Sequence, residues 1–204
     1  MDVIITLREK FSEIYKNCGW KNKQTASGGG STLAATATYR ELLAKLIEEF
    51  KIRSVLDAGC GDFHFMQHLL KDAKVKYIGV DIVKDMIDDC NRKYSTKSIR
   101  FLVRDITTDV LPACDAVIVK DVIQHLSVWD AYLAIQQVLA TKTKWLLINH
   151  FPATEANRDT YKYGGGFYNL CLPPFNFPKP LRLIPKVGKG MQPKQRMMGL
   201  WDLR

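Results

Sequence analysis

Five short apolar runs, separated by stretches with helical spacing, constrain this chain more than any other feature. The runs are RSVLD, KYIGVD, IRFLVRD, DAVIVK and KWLLIN, at residues 53–57, 76–81, 99–105, 115–120 and 144–149. Helical patterns separate them near residues 62–71, 82–93 and 127–140. Strands that are apolar on both faces and alternate with helices form a parallel sheet covered on both sides. The pattern therefore predicts a doubly wound α/β domain.

The segments on either side of these runs complete the predicted fold. Apolar residues from Tyr39 to Phe50 recur at three- and four-residue steps, which predicts an amphipathic helix capped by Ser31 or Thr32. Prolines and glycines after the fifth run forbid a long helix, and PLRLIPK and RMMGLWDL predict a closing antiparallel hairpin. We expect a mostly parallel, seven-stranded sheet in a single domain, 1–204. Its parts are an N-terminal helical cap (1–50), a core (51–150) and a long loop with the closing hairpin (151–204).

Composition excludes several classes of protein. The chain has 204 residues, 47% hydrophobic and 25% charged, which is typical of a globular domain rather than a disordered chain. No apolar run approaches the roughly 18 residues of a membrane span, and no signal peptide is visible. The five cysteines form no CxxC pair, which argues against a disulfide framework and a zinc site. We expect a cytoplasmic protein.

Positive charge is concentrated in the last quarter of the sequence. Residues 151–204 contain nine Lys and Arg against three acids, and so supply +6 of the net +9. This distribution is compatible with an anionic partner, such as a nucleic acid or a phosphorylated sugar. A basic face that only keeps the protein soluble explains it equally well.

A glycine-rich turn after the first run predicts a ligand site. Gly59 and Gly61 lie where backbone N–H groups approach a ligand at the carboxyl end of a strand. A dinucleotide fingerprint has a third glycine at the position of His64, which disfavours a dehydrogenase. Acids end the first three strands, at Asp57, Asp81 and Asp105. Such acids suit a ligand with an amine, ribose hydroxyls and a positive charge.

These motifs resemble those of class I S-adenosylmethionine-dependent methyltransferases. VLDAGCG is similar to their first motif and YIGVDIV to their second, while Phe63 stands where many members have a third glycine. The resemblance implies that Asp57 lies near the methionyl end of the cofactor, that Asp81 binds its ribose hydroxyls, and that Ile82 contacts its adenine. The implied cofactor site comprises Ser31, Arg40, Asp57, Gly59, Cys60, Gly61, Asp81, Ile82, Asp105, Ile106 and Lys120.

The flanking segments resemble a narrower group. Residues 14–40 and 164–181 are similar to small methyltransferases found among glycan, capsule and surface-polysaccharide genes, and to methyltransferase domains of multi-domain glycan-building proteins of large algal viruses. The resemblance implies a sugar or glycan acceptor, for instance a deoxyhexose such as rhamnose, and a place in a longer polypeptide. It also implies that Ser31 and Arg40 close over the cofactor, with Arg40 pairing its carboxylate.

Methyl transfer to a sugar hydroxyl favours a general base, because the hydroxyl has a high pKa. His125, after the fourth strand, and His150, at the end of the fifth, are the candidate bases, and Asp121 is a candidate to orient one of them. Packing in the cleft wall is the alternative for either histidine. His64 and His68 have the spacing of metal ligands but no third ligand, so we expect no metal.

The segment 157–179 is the expected acceptor site, since aromatic rings pack against sugars and amides bind hydroxyls. The alternative is that its aromatic residues only complete the core. The candidate acceptor residues are Asn157, Asp159, Tyr163, Phe167, Tyr168 and Asn169.

Two other functions stay open. A nucleic-acid methyltransferase fits the basic, aromatic C-terminal quarter. However, an amino-directed enzyme has an acid or Asn, two prolines and an aromatic residue after the fourth strand, where this chain has Lys120-Asp121-Val122-Ile123. A non-catalytic cofactor-binding domain is disfavoured by the two candidate bases.

Overall fold

A seven-stranded sheet forms the centre of the computed structural model, which describes residues 5–20, 22–71, 74–159, 165–185 and 196–204. The strand order is β3-β2-β1-β4-β5-β7-β6. The strands are β1 (Ser54–Ala58), β2 (Lys76–Asp81), β3 (Ile99–Val103), β4 (Ala116–Val119), β5 (Trp145–His150), β6 (Arg182–Pro185) and β7 (Met197–Asp202). Strands β1 to β5 are parallel, and β7 pairs antiparallel with β5 and β6. The predicted fold class is confirmed.

Helices cover both faces of this sheet. They are α1 (Leu7–Lys16), α2 (Ala37–Glu49), α3 (Met66–Leu70), α4 (Lys84–Tyr94) and α5 (Val128–Ala140). Side-chain caps begin two of them, because Thr6 accepts a hydrogen bond from the Glu9 N–H and Ser127 accepts one from the Asp130 N–H. Within the described ranges, no helix is long and apolar enough to cross a membrane.

The core lies on both sides of the sheet, as the continuous apolar runs predict. Val55 belongs to one buried cluster and its neighbour Leu56 to the other. The same alternation separates Ile118 from Val117 in β4. Helices α2, α3 and α4 contribute to the first cluster, whereas α5 and residues 168–175 contribute to the second.

The helix before β1 begins later than the sequence predicts. Its N-cap is Thr36, not Ser31 or Thr32. The Thr32 hydroxyl instead accepts a hydrogen bond from the Ala35 N–H (3.2 Å), and so stabilises the turn that precedes the helix. Ser31 is buried at the end of a short 3-10 turn, Gly29–Ser31.

The connection from β5 to β6 contains no helix in its described parts, 151–159 and 165–181, as predicted. Asn157 holds this connection together. Its side-chain amide donates to the carbonyl oxygens of Asn169 (2.9 Å) and Pro173 (2.8 Å), and its Oδ1 accepts from the Asn169 N–H (2.8 Å). The connection is therefore an ordered loop packed on the second core cluster.

Candidate active site

The glycine turn after β1 brings three segments of the chain together. Gly59 and Gly61 have φ of 86° and 59°, in the left-handed region that glycine tolerates. A Cβ at Gly59 would lie 2.3 Å from Val122 Cγ2, and one at Gly61 would lie 2.1 Å from Ser27 Oγ. The turn thus contacts the loop after β4 and the segment before α2 at distances that only glycine permits.

Asp62 fixes the segment 25–27 over this turn. Its Oδ1 accepts hydrogen bonds from the hydroxyls of Thr25 and Ser27 (2.8 Å each), and its Oδ2 accepts from the Ala26 N–H (2.8 Å). Sequence analysis missed Asp62 because an acid in a glycine turn resembles an ordinary helix-start residue, and its partners are distant in the chain.

Phe63 takes the place of the third glycine without changing the backbone that glycine would adopt. Its φ is 62°, and its side chain is buried among the rings of Tyr77, Tyr94 and Phe101, with centroid distances of 5.0, 5.3 and 5.0 Å. Aromatic packing of this kind offsets the cost of a left-handed Phe. Phe63 therefore has a backbone conformation that glycine favours and adds a ring to the core.

Three acids face one cavity from the carboxyl ends of β1, β2 and β3. The Tyr77 hydroxyl donates to Asp57 (2.8 Å), and the Gly61 N–H donates to Asp81 (3.1 Å). Burial raises the pKa of Asp57 to about 6 and also raises the pKa of Asp81. Asp105 completes this set. A ligand that carries positive charge or hydroxyl donors therefore gains favourable interactions here.

The cavity has a volume of about 660 Å³, which is within the range of small-molecule sites. Ten of the eleven residues predicted for the cofactor line it: Ser31, Asp57, Gly59, Cys60, Gly61, Asp81, Ile82, Asp105, Ile106 and Lys120.

Arg40 is the exception among the predicted cofactor residues. Its Nη2 donates to the Leu33 carbonyl oxygen (3.2 Å), and the residue does not line the cavity that the described residues form. Arg40 lies on α2, whose start is displaced from the predicted position, and it serves to hold the turn before that helix.

A buried ionic network lies at the end of β4. Lys120 Nζ donates to the Gly30 carbonyl oxygen (3.1 Å) and pairs with Asp121 (2.8 Å). The Asp121 carboxylate also accepts hydrogen bonds from Arg196 and Asn149. Asp121 thus joins β4, β5 and the start of β7, and Lys120 ties this junction to the glycine segment 28–31.

His125 lines the cavity and is exposed to solvent, in a 3-10 turn, Ile123–His125. Its ring lies 6.0 Å from that of Trp20, and its carbonyl oxygen accepts a hydrogen bond from Lys10 Nζ (3.2 Å). Trp20 and Lys10 also line the cavity. Sequence analysis missed both, because no motif connects the N-terminal helical cap with the loop after β4.

His150, predicted as a second candidate base, does not line the cavity formed by the described residues. It is 2% exposed, its Nδ1 accepts a hydrogen bond from the Leu170 N–H (3.2 Å), and its ring packs edge-on against Trp201. Burial lowers the pKa of His150 to about 4. This side chain therefore belongs to the core under the loop.

The predicted acceptor residues separate into two groups. Phe167 is half-exposed and lines the cavity. Tyr168 is fully buried, and Asp159 accepts hydrogen bonds from its hydroxyl (3.1 Å) and from the Val128 N–H (2.8 Å). Asn169 donates to the Thr154 carbonyl oxygen (3.0 Å). These polar side chains stabilise the loop and do not line the cavity formed by the described residues.

Tyr163 lies outside the described residues.

His64 and His68 have their ring centroids 6.3 Å apart. In the part of the chain that the structure describes, no group of three or more His, Cys, Asp or Glu side chains is arranged to hold a metal ion.

Residues 55–142 match a family model described as a methyltransferase domain. Among solved structures, magnesium protoporphyrin IX methyltransferase from Synechocystis PCC 6803 with bound SAM has a TM-score of 0.69, with 14% identity over 98% of each chain. Human N-acetylserotonin methyltransferase with SAM has a TM-score of 0.64, with 16% identity over 96% of this chain and 59% of that one. The methyltransferase domain of bacterial CtHen1 has a TM-score of 0.61, with 13% identity over 82% of this chain and 99% of that one.

Comparison of the sequence with curated proteins finds no match. The seven-stranded fold is that of the S-adenosylmethionine-dependent methyltransferases, and the family match covers β1 to α5, which contain most of the cavity wall. The protein is an S-adenosylmethionine-dependent methyltransferase, and S-adenosylmethionine is its cofactor.

Proposed function

We propose that this methyltransferase acts on a sugar hydroxyl, in a glycan or an activated sugar, with His125 as the general base. The observation that carries the proposal is the position of His125. It is exposed within the cavity, beside Trp20 and on the loop after β4, whereas the three acids lie at the ends of β1, β2 and β3. The cavity thus has an acidic half and a half with an imidazole and aromatic rings.

The acidic half suits the cofactor. In our proposal, Asp57 faces the methionyl ammonium, Asp81 accepts hydrogen bonds from the ribose hydroxyls, and Ile82 and Ile106 contact the adenine. When bound, S-adenosylmethionine supplies a sulfonium methyl, whose C–S bond breaks as an O–C bond forms on the acceptor. Lys120 positions the glycine segment 28–31 over this half through its hydrogen bond to Gly30.

The other half suits a sugar. Sugar rings have apolar faces that pack on aromatic side chains, and Trp20 and Phe167 both line this part of the wall. His125 takes the proton of the reacting hydroxyl, which contributes roughly 10²- to 10⁴-fold to the rate. Orientation of the two reactants in one cavity contributes about 7 to 11 kcal/mol more. Asp121 keeps the loop in place through its contacts with Lys120 and Arg196.

Replacement of His125 tests this proposal. We expect His125→Ala to lower methyl transfer to carbohydrate by at least about 10²-fold while the affinity for S-adenosylmethionine, measured by calorimetry, stays within twofold. His68→Ala is the matched control, because His68 is an exposed histidine that does not line the cavity of the described residues. Near-normal turnover of His125→Ala would exclude a general base at this position.

Replacement of His150 tests whether this second histidine has a role in turnover. Because His150 is buried against Trp201, we expect this variant to lose thermal stability and to retain the turnover of its folded fraction. A selective loss of turnover in a fully stable His150→Ala would return His150 to the list of bases.

A further inference from the structure

Gln124 is a buried side chain whose oxygen has no hydrogen-bond donor. The residue is 6% exposed, lines the cavity, and lies between Asp121 and His125 in the loop after β4. Its Oε1 is buried and accepts no hydrogen bond from the residues that the structure describes. Buried acceptors are satisfied in most proteins, and leaving one unsatisfied destabilises the folded state. Such an oxygen in a ligand cavity indicates that a ligand supplies the donor.

The orientation of this amide follows from its neighbour. Gln124 Nε2 lies 3.5 Å from the Asp121 Oδ1, which also accepts from Arg196 and Asn149. A carboxylate oxygen attracts N–H donors and repels an amide oxygen, so the nitrogen faces Asp121 and Oε1 faces away from it. A distance of 3.5 Å is at the limit of a hydrogen bond. The contact with Asp121 therefore holds the amide only weakly.

The backbone of Gln124 is fixed on the acceptor side of the cavity. Its carbonyl oxygen accepts a hydrogen bond from the Gly166 N–H (3.2 Å), next to Phe167. The acids that suit the cofactor lie at the ends of β1, β2 and β3, whereas Gln124 follows β4 and directly precedes His125. The donor missing at Oε1 therefore comes from the methyl acceptor.

We propose that Gln124 Oε1 accepts a hydrogen bond from a second hydroxyl of the acceptor, and that the substrate class is a sugar with two neighbouring free hydroxyls. This inference rests on the proposed function. The reacting hydroxyl has a single proton, which passes to His125 as the oxygen gains the methyl group, so that hydroxyl cannot also donate to Gln124. In this proposal the hydroxyl bound by Gln124 is the neighbour of the one that is methylated, since Gln124 and His125 lie in the same 3-10 turn. Gln124 is thus a specificity-determining residue.

The thermal stability of the unliganded protein tests whether Oε1 is reserved for a ligand. Gln124→Met keeps the length of the side chain and removes the unsatisfied oxygen, so we expect the thermal midpoint to rise by about 2 to 4 °C. Gln136→Met on the exposed side of α5 is the matched control. A midpoint lower than that of the control would assign Gln124 to the structure of the loop and overturn the inference.

Methyl transfer to p-nitrophenyl hexosides and 6-deoxyhexosides, and to their monodeoxy analogues, tests the diol. We expect Gln124→Met to lower kcat/KM by at least about tenfold on glycosides with neighbouring hydroxyls, and to have no effect on analogues that lack the hydroxyl next to the reacting one. The affinity for S-adenosylmethionine should stay within twofold by calorimetry. Equal loss on both kinds of acceptor, or a tenfold loss of cofactor affinity, would contradict the inference.

The two proposals fail in different ways. If wild-type enzyme labels no glycoside, the sugar acceptor is wrong and the diol with it, whatever the thermal result. If wild type labels glycosides and Gln124→Met labels them equally well, only the assignment of Gln124 is wrong.

Discussion

At the scale of single residues, Asp81 both holds the glycine turn and lines the cavity. Its carboxylate accepts hydrogen bonds from the backbone N–H groups of Gly61 and Val83 (3.1 Å each) and lines the cavity. Burial raises its pKa, so the charged form is disfavoured until a ligand supplies donors. The residue thus shapes the glycine turn and remains available to a ligand.

We expect Asp81→Asn to lower the affinity for S-adenosylmethionine by about 10- to 100-fold, because hydrogen bonds to a charged group are lost. The thermal midpoint should also fall, because the amide nitrogen of Asn cannot accept one of the two backbone hydrogen bonds, from Gly61 and Val83, that the carboxylate accepts. Calorimetry and thermal unfolding measure the two effects, with the exposed Asp88→Asn on α4 as control. Cofactor affinity within twofold of wild type would contradict the assignment.

Asp57 predicts a pH dependence of cofactor binding. Its pKa is about 6, raised mainly by burial. As pH falls through about 6, protonation removes the charge that faces the cofactor ammonium, so affinity measured by calorimetry should fall between pH 7.5 and 5. In Asp57→Asn we expect weak binding without this dependence. Affinity independent of pH in the wild type would contradict the role of Asp57.

The contribution of Asp57 to the stability of the unliganded protein changes with pH in the opposite direction to its contribution to cofactor affinity. Because the folded state raises the pKa of Asp57, this group stabilises the fold most below its ordinary value of about 3.8, and that contribution is lost as pH rises through about 6. Unliganded Asp57→Asn should therefore exceed the wild type in stability at pH 7.5, with a smaller difference at pH 5. Equal differences at both pH values would contradict the raised pKa.

At the scale of elements, α1 is a part of the cavity wall that lies on the surface of the protein. Leu7, Phe11 and Ile14 line the cavity, but no residue of α1 is buried. Two hydrogen bonds hold the helix. Arg8 donates one to the Ile82 carbonyl oxygen (3.4 Å), and Lys10 donates the other to the His125 carbonyl oxygen (3.2 Å). Helix α1 therefore spans the cavity from the cofactor side to the acceptor side.

We expect amide hydrogen exchange in α1 to be faster than in α5, which buries Ala131, Ala134, Ile135 and Val138. Saturation with S-adenosylhomocysteine should slow exchange in α1 at least about tenfold, because the ligand supplies apolar surface for its inner face. Helix α5 is the internal control. No change in α1 would show that this helix does not contact the bound cofactor.

Local patterns predicted the elements whose structure depends on near neighbours. The five apolar runs identified β1 to β5, and the segments PLRLIPK and RMMGLWDL identified β6 and β7. Asp57, Gly59 and Asp81 were expected at one site because they lie at or next to the carboxyl ends of strands. Contacts between distant segments were not predictable in this way. His150 was expected in the cavity because it ends β5, but the loop at Leu170 and Trp201 of β7 enclose it.

At the scale of the whole molecule, different parts of the sheet contribute the wall of one cavity. The parallel strands β1 to β3 present the acids, and the loop after β4, with Arg196 at the start of β7, forms the opposite wall. We propose that the chain works as one domain, 1–204, with the cap 1–50 and the C-terminal part 151–204 completing the core 51–150. In this proposal both flanks are needed to complete the cavity, because they contribute Trp20 and Phe167 to its wall. Both residues lie beyond the segment that matches the methyltransferase family model.

Transfer of labelled methyl from S-adenosylmethionine into a mixed pool of glycans, nucleotide sugars and RNA tests the central claim most directly. The fractions are separated and counted, for wild type and for His125→Ala. We expect label in the carbohydrate fraction with wild type and its loss in the variant. Label in the RNA alone would contradict the sugar acceptor and assign the basic C-terminal quarter to nucleic acid.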